Sequence, residues 1–102
     1  MSRLTEYNKA DSCFEIHVYG ERAFIECKKK DEVIYMIHTE VPEALRGHKI
    51  GETLVREALE ICSESGWQVV PICPFVLKFM KANTEFQKLV RAKDFEKYFG
   101  SK

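Results

Sequence analysis

The chain has 102 residues, which is enough for one domain and too few for two. It is 45% hydrophobic and 31% charged, the composition of an ordinary globular protein, and its 16 basic and 16 acidic side chains cancel. The balance of charge excludes any electrostatic case for nucleic acid or an acidic membrane as partner, and no apolar run approaches the ~18 residues of a membrane span.

We therefore expect a single domain over residues 1–102, with a core of about 13–92, that works as a monomer. The N-terminus lacks the apolar stretch of a signal peptide, so a cytoplasmic location is expected. The four cysteines form no C-x-x-C pair, and no histidine lies at zinc-finger spacing from a cysteine pair, so we expect reduced thiols and no metal.

Two half-buried strands are predicted first. Apolar and polar residues alternate over residues 13–18 and again over 23–27, placing alternate side chains on opposite faces of a strand. Gly20 and Glu21 lie between them and suit a tight hairpin turn, with glycine first. The two strands should therefore pair antiparallel.

A third strand and a helix follow. Residues 33–37 are continuously apolar and rich in β-branched and aromatic side chains, which favours a central strand buried on both faces. This strand should continue to Val41 and stop pairing at Pro42, which has no N–H to donate. From Ile50 to Cys62 the apolar residues recur at helical spacing.

The last third of the chain predicts one strand and two further helices. Residues 67–73 indicate a strand in which Pro71 leaves the ladder incomplete on one side. Pro74 suits the first turn of a helix with an apolar stripe at helical spacing, and residues 84–87 match a capping box that would begin another helix. The stripe consists of Phe75, Val76, Phe79 and Met80.

This order predicts an α+β fold with a mixed, mostly antiparallel sheet and helices packed on it. The strand–helix–strand unit implies a right-handed crossover and a parallel strand pair. Because both parallel strands carry proline near their ends, Pro42 and Pro71, the pair should splay. The splay would leave backbone groups free to bind an extended, amide-containing ligand such as pantetheine.

A candidate anion site follows directly. The start of a helix presents free N–H groups and a partial positive charge, which suit a pyrophosphate. Gly47 and Gly51 let the backbone come close to phosphates. Arg46, His48 and Lys49 add basic side chains. Taken alone, the segment fits a plain helix entry with a solvated basic turn at least equally well.

These residues resemble the cofactor motif of the GNAT superfamily of N-acetyltransferases, and in particular its short single-domain members. The resemblance is carried by the segment from His38 to Gly51 together with the segment from Val70 to Phe75, and it extends over about residues 13–90. The superfamily motif reads Arg/Gln-x-x-Gly-x-Gly/Ala. This chain keeps Arg46 and Gly51 but has Lys49 where the middle glycine is usual.

The resemblance implies that the chain binds acetyl-CoA as a co-substrate. It implies that the Val41 backbone pairs with pantetheine and polarises the thioester carbonyl, and that residues 46–51 bind the pyrophosphate. The residues expected to contact acetyl-CoA are Thr39, Glu40, Val41, Arg46, Gly47, His48, Lys49, Ile50, Gly51, Cys73 and Pro74. The acceptor side should be unusually open, as in other short members.

Two residues are candidates for catalysis. Cys73 ends a strand just before the helix-opening Pro74, where the pKa of a thiol is lowered, and the resemblance also points to it; it would accept the acetyl group or protonate the departing thiolate. A buried structural cysteine is the alternative. Glu40 is a candidate general base or a solvated strand residue, and His38 fits a satisfied sheet histidine better than a catalyst. Lys78 is within reach of a CoA phosphate or lies on a solvated helix face.

Two functions are therefore expected to compete. The first is an acetyl-CoA-dependent N-acetyltransferase that acts on an amine, either a small molecule or a protein amine. The second is a non-catalytic CoA-binding module that acts as a sensor or interaction protein. Cys73 favours the enzyme, whereas Lys49 and the open acceptor side favour the binding module.

Overall fold

The computed structural model describes residues 3–100. Its five strands are β1 (Glu6–Asn8), β2 (Cys13–Val18), β3 (Glu21–Lys30), β4 (Val33–Glu40) and β5 (Gln68–Pro71). Its helices are α1 (Ile50–Ser65), α2 (Pro74–Ala82) and α3 (Ala92–Phe99), with short 3₁₀ turns at Glu43–Leu45 and Thr84–Leu89.

The five strands form one mixed sheet in the order β1-β2-β3-β4-β5. Neighbouring strands from β1 to β4 pair antiparallel, and β4 pairs with β5 parallel. Because α1 connects β4 to β5, the parallel pair requires a crossover over the sheet. The predicted α+β fold with helices packed on a mixed sheet is therefore confirmed.

The hairpin between β2 and β3 turns through Tyr19 and Gly20, one residue earlier than predicted. Both residues have positive φ, 54° and 77° respectively, which is the backbone combination of a type I′ turn. Glu21, which was expected in the turn, is the first residue of β3 and pairs with Val18. A type I′ turn matches the twist of the flanking strands and so sets their register.

The core lies between the sheet and α1. The alternating apolar residues of β2 and β3 are buried, as predicted, except for the partly buried Val18 at the end of β2, and the apolar stripe of α1 from Leu54 to Cys62 is buried too. β4 is an interior strand, paired with β3 on one side and β5 on the other, but only its even-numbered residues Ile34 and Met36 are fully buried, so the prediction of burial on both faces was wrong. Gly66 ends α1 in the left-handed conformation with φ 78°, as a helix C-terminal glycine does.

The parallel strands separate halfway along β4. The last pair of residues is Met36 with Pro71, and the Cys73 N–H makes one more bond to the Met36 carbonyl at 2.8 Å. The pairing of β4 with β3 jumps from Met36–Cys27 to His38–Glu26, so Ile37 is an extra, bulged residue. A bulge bends its strand and increases the local twist. The predicted splay is therefore present, with the bulge adding to the effect of Pro71.

The structure differs from the sequence-based expectation in three further places: at β1, at residues 84–89 and at the end of β5. β1 was not predicted; three residues are too short to show an alternating pattern. The expected helix beginning at Thr84 is a six-residue 3₁₀ turn, and the Thr84 capping box does not form because Asn83 takes the cap position without a side-chain bond. β5 is shorter than residues 67–73 because Pro71 ends the ladder.

Across residues 3–100, no helix combines the length and the apolar character that crossing a bilayer requires.

Candidate active site

Three adjoining cavities follow the end of β4 and the beginning of α1. The first, about 320 Å³, lies along residues 38–41; the second, about 260 Å³, lies at the start of α1; the third, about 520 Å³, lies between α1 and α2. The Phe75 ring lines all three cavities. The cavities therefore form a continuous path on the protein surface, and one extended ligand could occupy all of it.

The first cavity contains the splayed end of β4. The Val41 N–H has no hydrogen-bond partner within residues 3–100, whereas the Val41 carbonyl accepts a bond of 3.1 Å from Arg46 Nε. A free N–H beside a cavity can donate to a ligand carbonyl. The backbone beyond the bulge thus offers the donor that an extended, amide-containing ligand or a thioester would use.

Cys73 lies across the splay from Thr39. The Cys73 Sγ and Thr39 Oγ1 atoms are 3.3 Å apart, and Cys73 is only 3% exposed. Cys73 is the N-cap of α2, but its side chain does not bond to the helix N–H groups. The thiol is therefore held by Thr39, and it lies behind the wall of the first cavity rather than in the group of residues that lines it.

Glu40 forms a pair with His38 at the exposed end of β4. Glu40 Oε1 and His38 Nε2 are 2.9 Å apart, and both side chains are about half exposed. Residues two apart on a strand share a face. The structure therefore joins a candidate base to a histidine, a contact that the sequence did not predict, and both residues line the first cavity.

The start of α1 is open to an anion but strained. The helix has no side-chain cap at its N-terminus. Lys49, the N-cap residue, has φ 60° and ψ 25°, and Gly47 has φ 85°, so both lie in the left-handed region. Glycine adopts that region without a steric cost, whereas lysine does not. This geometry explains physically why a glycine suits position 49.

Gly51 is the point at which α1, α2 and β4 come together. A Cβ atom at this position would lie 2.9 Å from Phe75 Cζ and 3.5 Å from Val41 Cγ2. Gly51 is therefore required for the close approach of the Phe75 ring rather than for a positive φ. The ring covers the first turn of α1 while staying 38% exposed.

The other cysteines are poor nucleophiles. Burial raises the pKa of Cys27 to about 12 and also raises the pKa of Cys62 and Cys13. All four cysteines are free thiols. Among the described residues, no group of three or more His, Cys, Asp or Glu side chains could hold a metal ion.

The structure brings most of the predicted site residues together along the path. The first two cavities are lined by Thr39, Glu40, Val41, Arg46, Gly47, Lys49, Ile50 and Gly51. Cys73 lies behind the first cavity. Pro74 begins α2, and His48 is exposed beside the path; neither lines these two cavities.

Phe75 is the residue that sequence reasoning placed wrongly. Its spacing with Val76, Phe79 and Met80 predicted a core position, but its ring lies on the surface between the three cavities. The only available signal was its position directly after Pro74, which starts the helix at the end of the splay. The bulge at Ile37 left no signal in the sequence.

Comparison with known proteins agrees with this geometry. A family model described as GCN5-related N-acetyl-transferase matches residues 13–89. The chain is 39% identical over 54 residues to Protein NATD1 from Danio rerio, covering 53% of this chain and 49% of that protein. It is 36% identical over 59 residues to Protein NATD1 from Bos taurus, covering 58% and 52%. The chain spans about half the length of the curated relatives that it matches. Because the family model covers well over half of it, the chain belongs to the GCN5-related N-acetyltransferase family.

Proposed function

We propose that the chain binds acetyl-CoA and transfers its acetyl group to a primary amine. The observation that carries the proposal is the free Val41 N–H at the splayed end of β4, next to the uncapped start of α1. The first feature suits a thioester carbonyl and the second a pyrophosphate. The Val41 N–H lies beside the first cavity and the start of α1 beside the second, so the two features follow one another as the thioester and the pyrophosphate do in acetyl-CoA.

The Val41 N–H would donate to the thioester oxygen and stabilise the negative charge that develops there when the amine attacks. Arg46 supports this arrangement because its bond to the Val41 carbonyl fixes the peptide next to the donor. Preorganised donors of this kind contribute a large share of rate enhancement in acyl transfer.

Cys73 would act as the proton donor in a direct transfer. The amine nitrogen bonds to the acetyl carbon, the carbon–sulfur bond of the thioester breaks, and the Cys73 S–H gives its proton to the departing CoA thiolate. Exposure of only 3% disfavours the covalent alternative, because the acceptor would have to reach an acetyl-cysteine in a second step. Glu40, paired with His38, would accept the proton that the amine releases.

The first experiment measures CoA binding by thermal denaturation. A ligand present at 100 times its Kd stabilises a protein by about 2.7 kcal/mol, which for a chain of this length is a shift of roughly 10–20 °C. The Gly51→Trp variant should lose the shift, because the indole would fill the space between Phe75 and Val41. Ala10→Trp, an exposed residue outside the three cavities, is the matched control and should keep it. Absence of any shift in the unmodified chain at millimolar CoA would refute the proposal.

The second experiment follows thiol release from acetyl-CoA with a panel of primary amines. Mass spectrometry of the protein after incubation with acetyl-CoA alone should show no acetyl group on Cys73, and Cys73→Ala should lower turnover without abolishing CoA binding. An acetylated Cys73 that loses its label when amine is added would instead establish the covalent route.

A CoA-binding module without turnover is the second candidate. The observation in its favour is Lys49, which lines both the second and the third cavity and would place a positive charge beside the pyrophosphate. Such a charge strengthens the retention of CoA after transfer as much as it strengthens the binding of acetyl-CoA. CoA binding with no thiol release for any amine would favour this candidate.

A further inference from the structure

A further cavity lies near the end of α1, away from the candidate active site at the start of that helix. Its volume of about 450 Å³ is in the usual range of small-molecule sites. α1 has 16 residues and is therefore about 24 Å long, since each residue adds 1.5 Å. None of the residues that line this cavity lines the path of three cavities described above. The lining residues are Tyr7, Lys9, Ser12, Lys29 and Trp67.

Two aromatic rings contribute the apolar part of the cavity. The Trp67 indole packs edge-on against the Tyr7 ring, with 5.2 Å between the ring centres. The Tyr7 ring in turn packs on the fully buried Phe14, with 5.0 Å between the ring centres. Tyr7 and Trp67 are themselves only partly buried. Because both rings pack on the core and also line the cavity, they offer a firm apolar surface to a planar ligand.

Two lysines make the cavity positively charged. Lys29 Nζ lies 4.9 Å from the centre of the Trp67 ring and donates a hydrogen bond of 2.6 Å to the Asp31 carbonyl, which holds the ammonium beside the indole. Neither Lys9 nor Lys29 forms an ion pair with another residue in the range 3–100, and no residue that lines the cavity is acidic. Since an ammonium group has three N–H donors, Lys29 keeps donors for an anion.

The wall beside Tyr7 is fixed by hydrogen bonds within the protein. Ser12 Oγ donates to the Cys27 carbonyl at 2.8 Å, and the Cys27 N–H donates to the Ser12 carbonyl at 3.0 Å. Burial raises the pKa of Tyr7, so the phenol keeps its proton and can donate it to an anion. A site that is formed in advance loses less entropy when a ligand binds.

We propose that this cavity binds a small aromatic anion, a planar ring that carries one carboxylate or phosphate group. The ring contacts Tyr7 and Trp67, and the anionic group lies at the ammonium groups of Lys9 and Lys29. Hydrogen bonds to a charged group are roughly twice as strong as neutral ones, so the charge of the ligand decides the affinity as much as its ring does. The proposal is independent of acetyl transfer, because the cavity shares no lining residue with the path.

The fluorescence of Trp67, the single tryptophan, tests the proposal directly because the indole lines the cavity. Phenylacetate or phenyl phosphate should change the emission saturably, with a Kd in the millimolar range or below, as expected of ligands this small. The ratio of the two affinities identifies the anionic group that the cavity prefers. Phenylacetamide, which has the ring without the charge, and acetate, which has the charge without the ring, should each bind about ten-fold more weakly than phenylacetate or worse.

Two lysine variants test the charged part of the cavity by calorimetric titration, since Lys29 contacts the fluorescent ring. Lys9→Ala and Lys29→Met should each weaken phenylacetate several-fold and leave phenylacetamide unchanged. Methionine keeps an apolar stem beside Trp67 and removes only the charge. Lys28→Met is the matched control. Lys28 is an exposed lysine that lies outside the cavity, and its side chain points to the opposite face of β3, so this variant should keep the affinity of the unmodified chain.

Three results would overturn the proposal. The first is the absence of any saturable change in emission with either aromatic anion at tens of millimolar. The second is equal binding of phenylacetate and phenylacetamide, which would show that the cavity does not recognise the charge. The third is the same loss of affinity in Lys28→Met as in Lys29→Met, which would show a general effect of charge. The binding of CoA bears on none of these results.

Discussion

Replacing Lys49 by glycine should stabilise the fold, although glycine ordinarily weakens a helix. Lys49 has φ 60° and ψ 25°, a conformation that costs a residue with a side chain about 1–2 kcal/mol. Glycine loses more chain entropy on folding, which takes back about 0.5–1 kcal/mol. The net gain in the free energy of unfolding should be about 0.5–1 kcal/mol, a rise in Tm of roughly 2–8 °C for a chain of this size.

Urea denaturation followed by the fluorescence of the single tryptophan, Trp67, measures this change. Lys49→Ala is the first control, because it removes the charge but keeps the strained backbone, and it should stay within about 0.5 kcal/mol of the unmodified chain. Gly47→Ala is the second control. Gly47 has φ 85°, and a Cβ atom there would meet no other atom within 4 Å, so this variant should lose about 1 kcal/mol of unfolding free energy from backbone strain alone. A Lys49→Gly variant that is less stable than the unmodified chain, or only as stable as Lys49→Ala, would show that the backbone at position 49 stores no such strain.

Three further changes test the site and its surroundings. Thr39→Val should slow the alkylation of Cys73 by iodoacetamide several-fold because the thiolate loses its hydroxyl donor, and Thr39→Ser should restore the rate; equal rates in all three proteins would contradict the role given to the 3.3 Å contact. Arg22 lies 2.7 Å from Glu15 and lowers the pKa of that carboxyl. Because the pKa of Glu15 is lower in the folded chain, the ion pair contributes its full stability above the unfolded pKa of about 4.3, and this stability is lost as the pH falls through the folded pKa. The unmodified chain should be more stable than Arg22→Met by at most about 1 kcal/mol after solvent screening. In urea titrations this difference should shrink below about pH 4. A difference that persists unchanged at pH 2.5 would rule out this ion pair as its source. Phe75→Ala should leave Tm within a few degrees because the ring is 38% exposed, yet weaken CoA about ten-fold in a calorimetric titration, and an unchanged affinity would remove Phe75 from the binding path.

Most of the architecture could be predicted because it follows from local periodicity. The alternation of apolar residues in β2 and β3 predicts which side chains face the core, and so does their helical spacing in α1. The structure buries most of those side chains. Prediction failed where the pattern was short. The three residues of β1 carry no period, and the 3₁₀ turn at Thr84–Leu89 differs from an α-helix by a hydrogen-bond pattern that six residues do not specify.

The candidate site could be predicted only in part. The separation of the two strands was predicted from Pro42 and Pro71, and the strands do separate beyond the Met36–Pro71 pair. The role of Val41 was implied only by the family resemblance. The 3.3 Å contact between Thr39 and Cys73 and the 2.9 Å contact between His38 and Glu40 were not foreseen. Side-chain contacts of this kind depend on strand register and on rotamers, which a list of residue types does not encode.

The sequence by itself determined β2 to β5, α1 and α2 and the order in which they follow one another. It could do so because hydrophobic periodicity, prolines and glycines act on the residues next to them in the chain. Only the tertiary structure decided that Ile37 is bulged, that Lys49 is left-handed, and that the Phe75 ring leaves the core to cover Gly51. Each of these features depends on contacts between segments that are distant in the sequence. β4 pairs with both β3 and β5, and α2 packs against the first turn of α1. The path of cavities is a product of that packing, so its course along the protein surface became visible only once the strands and helices were assembled.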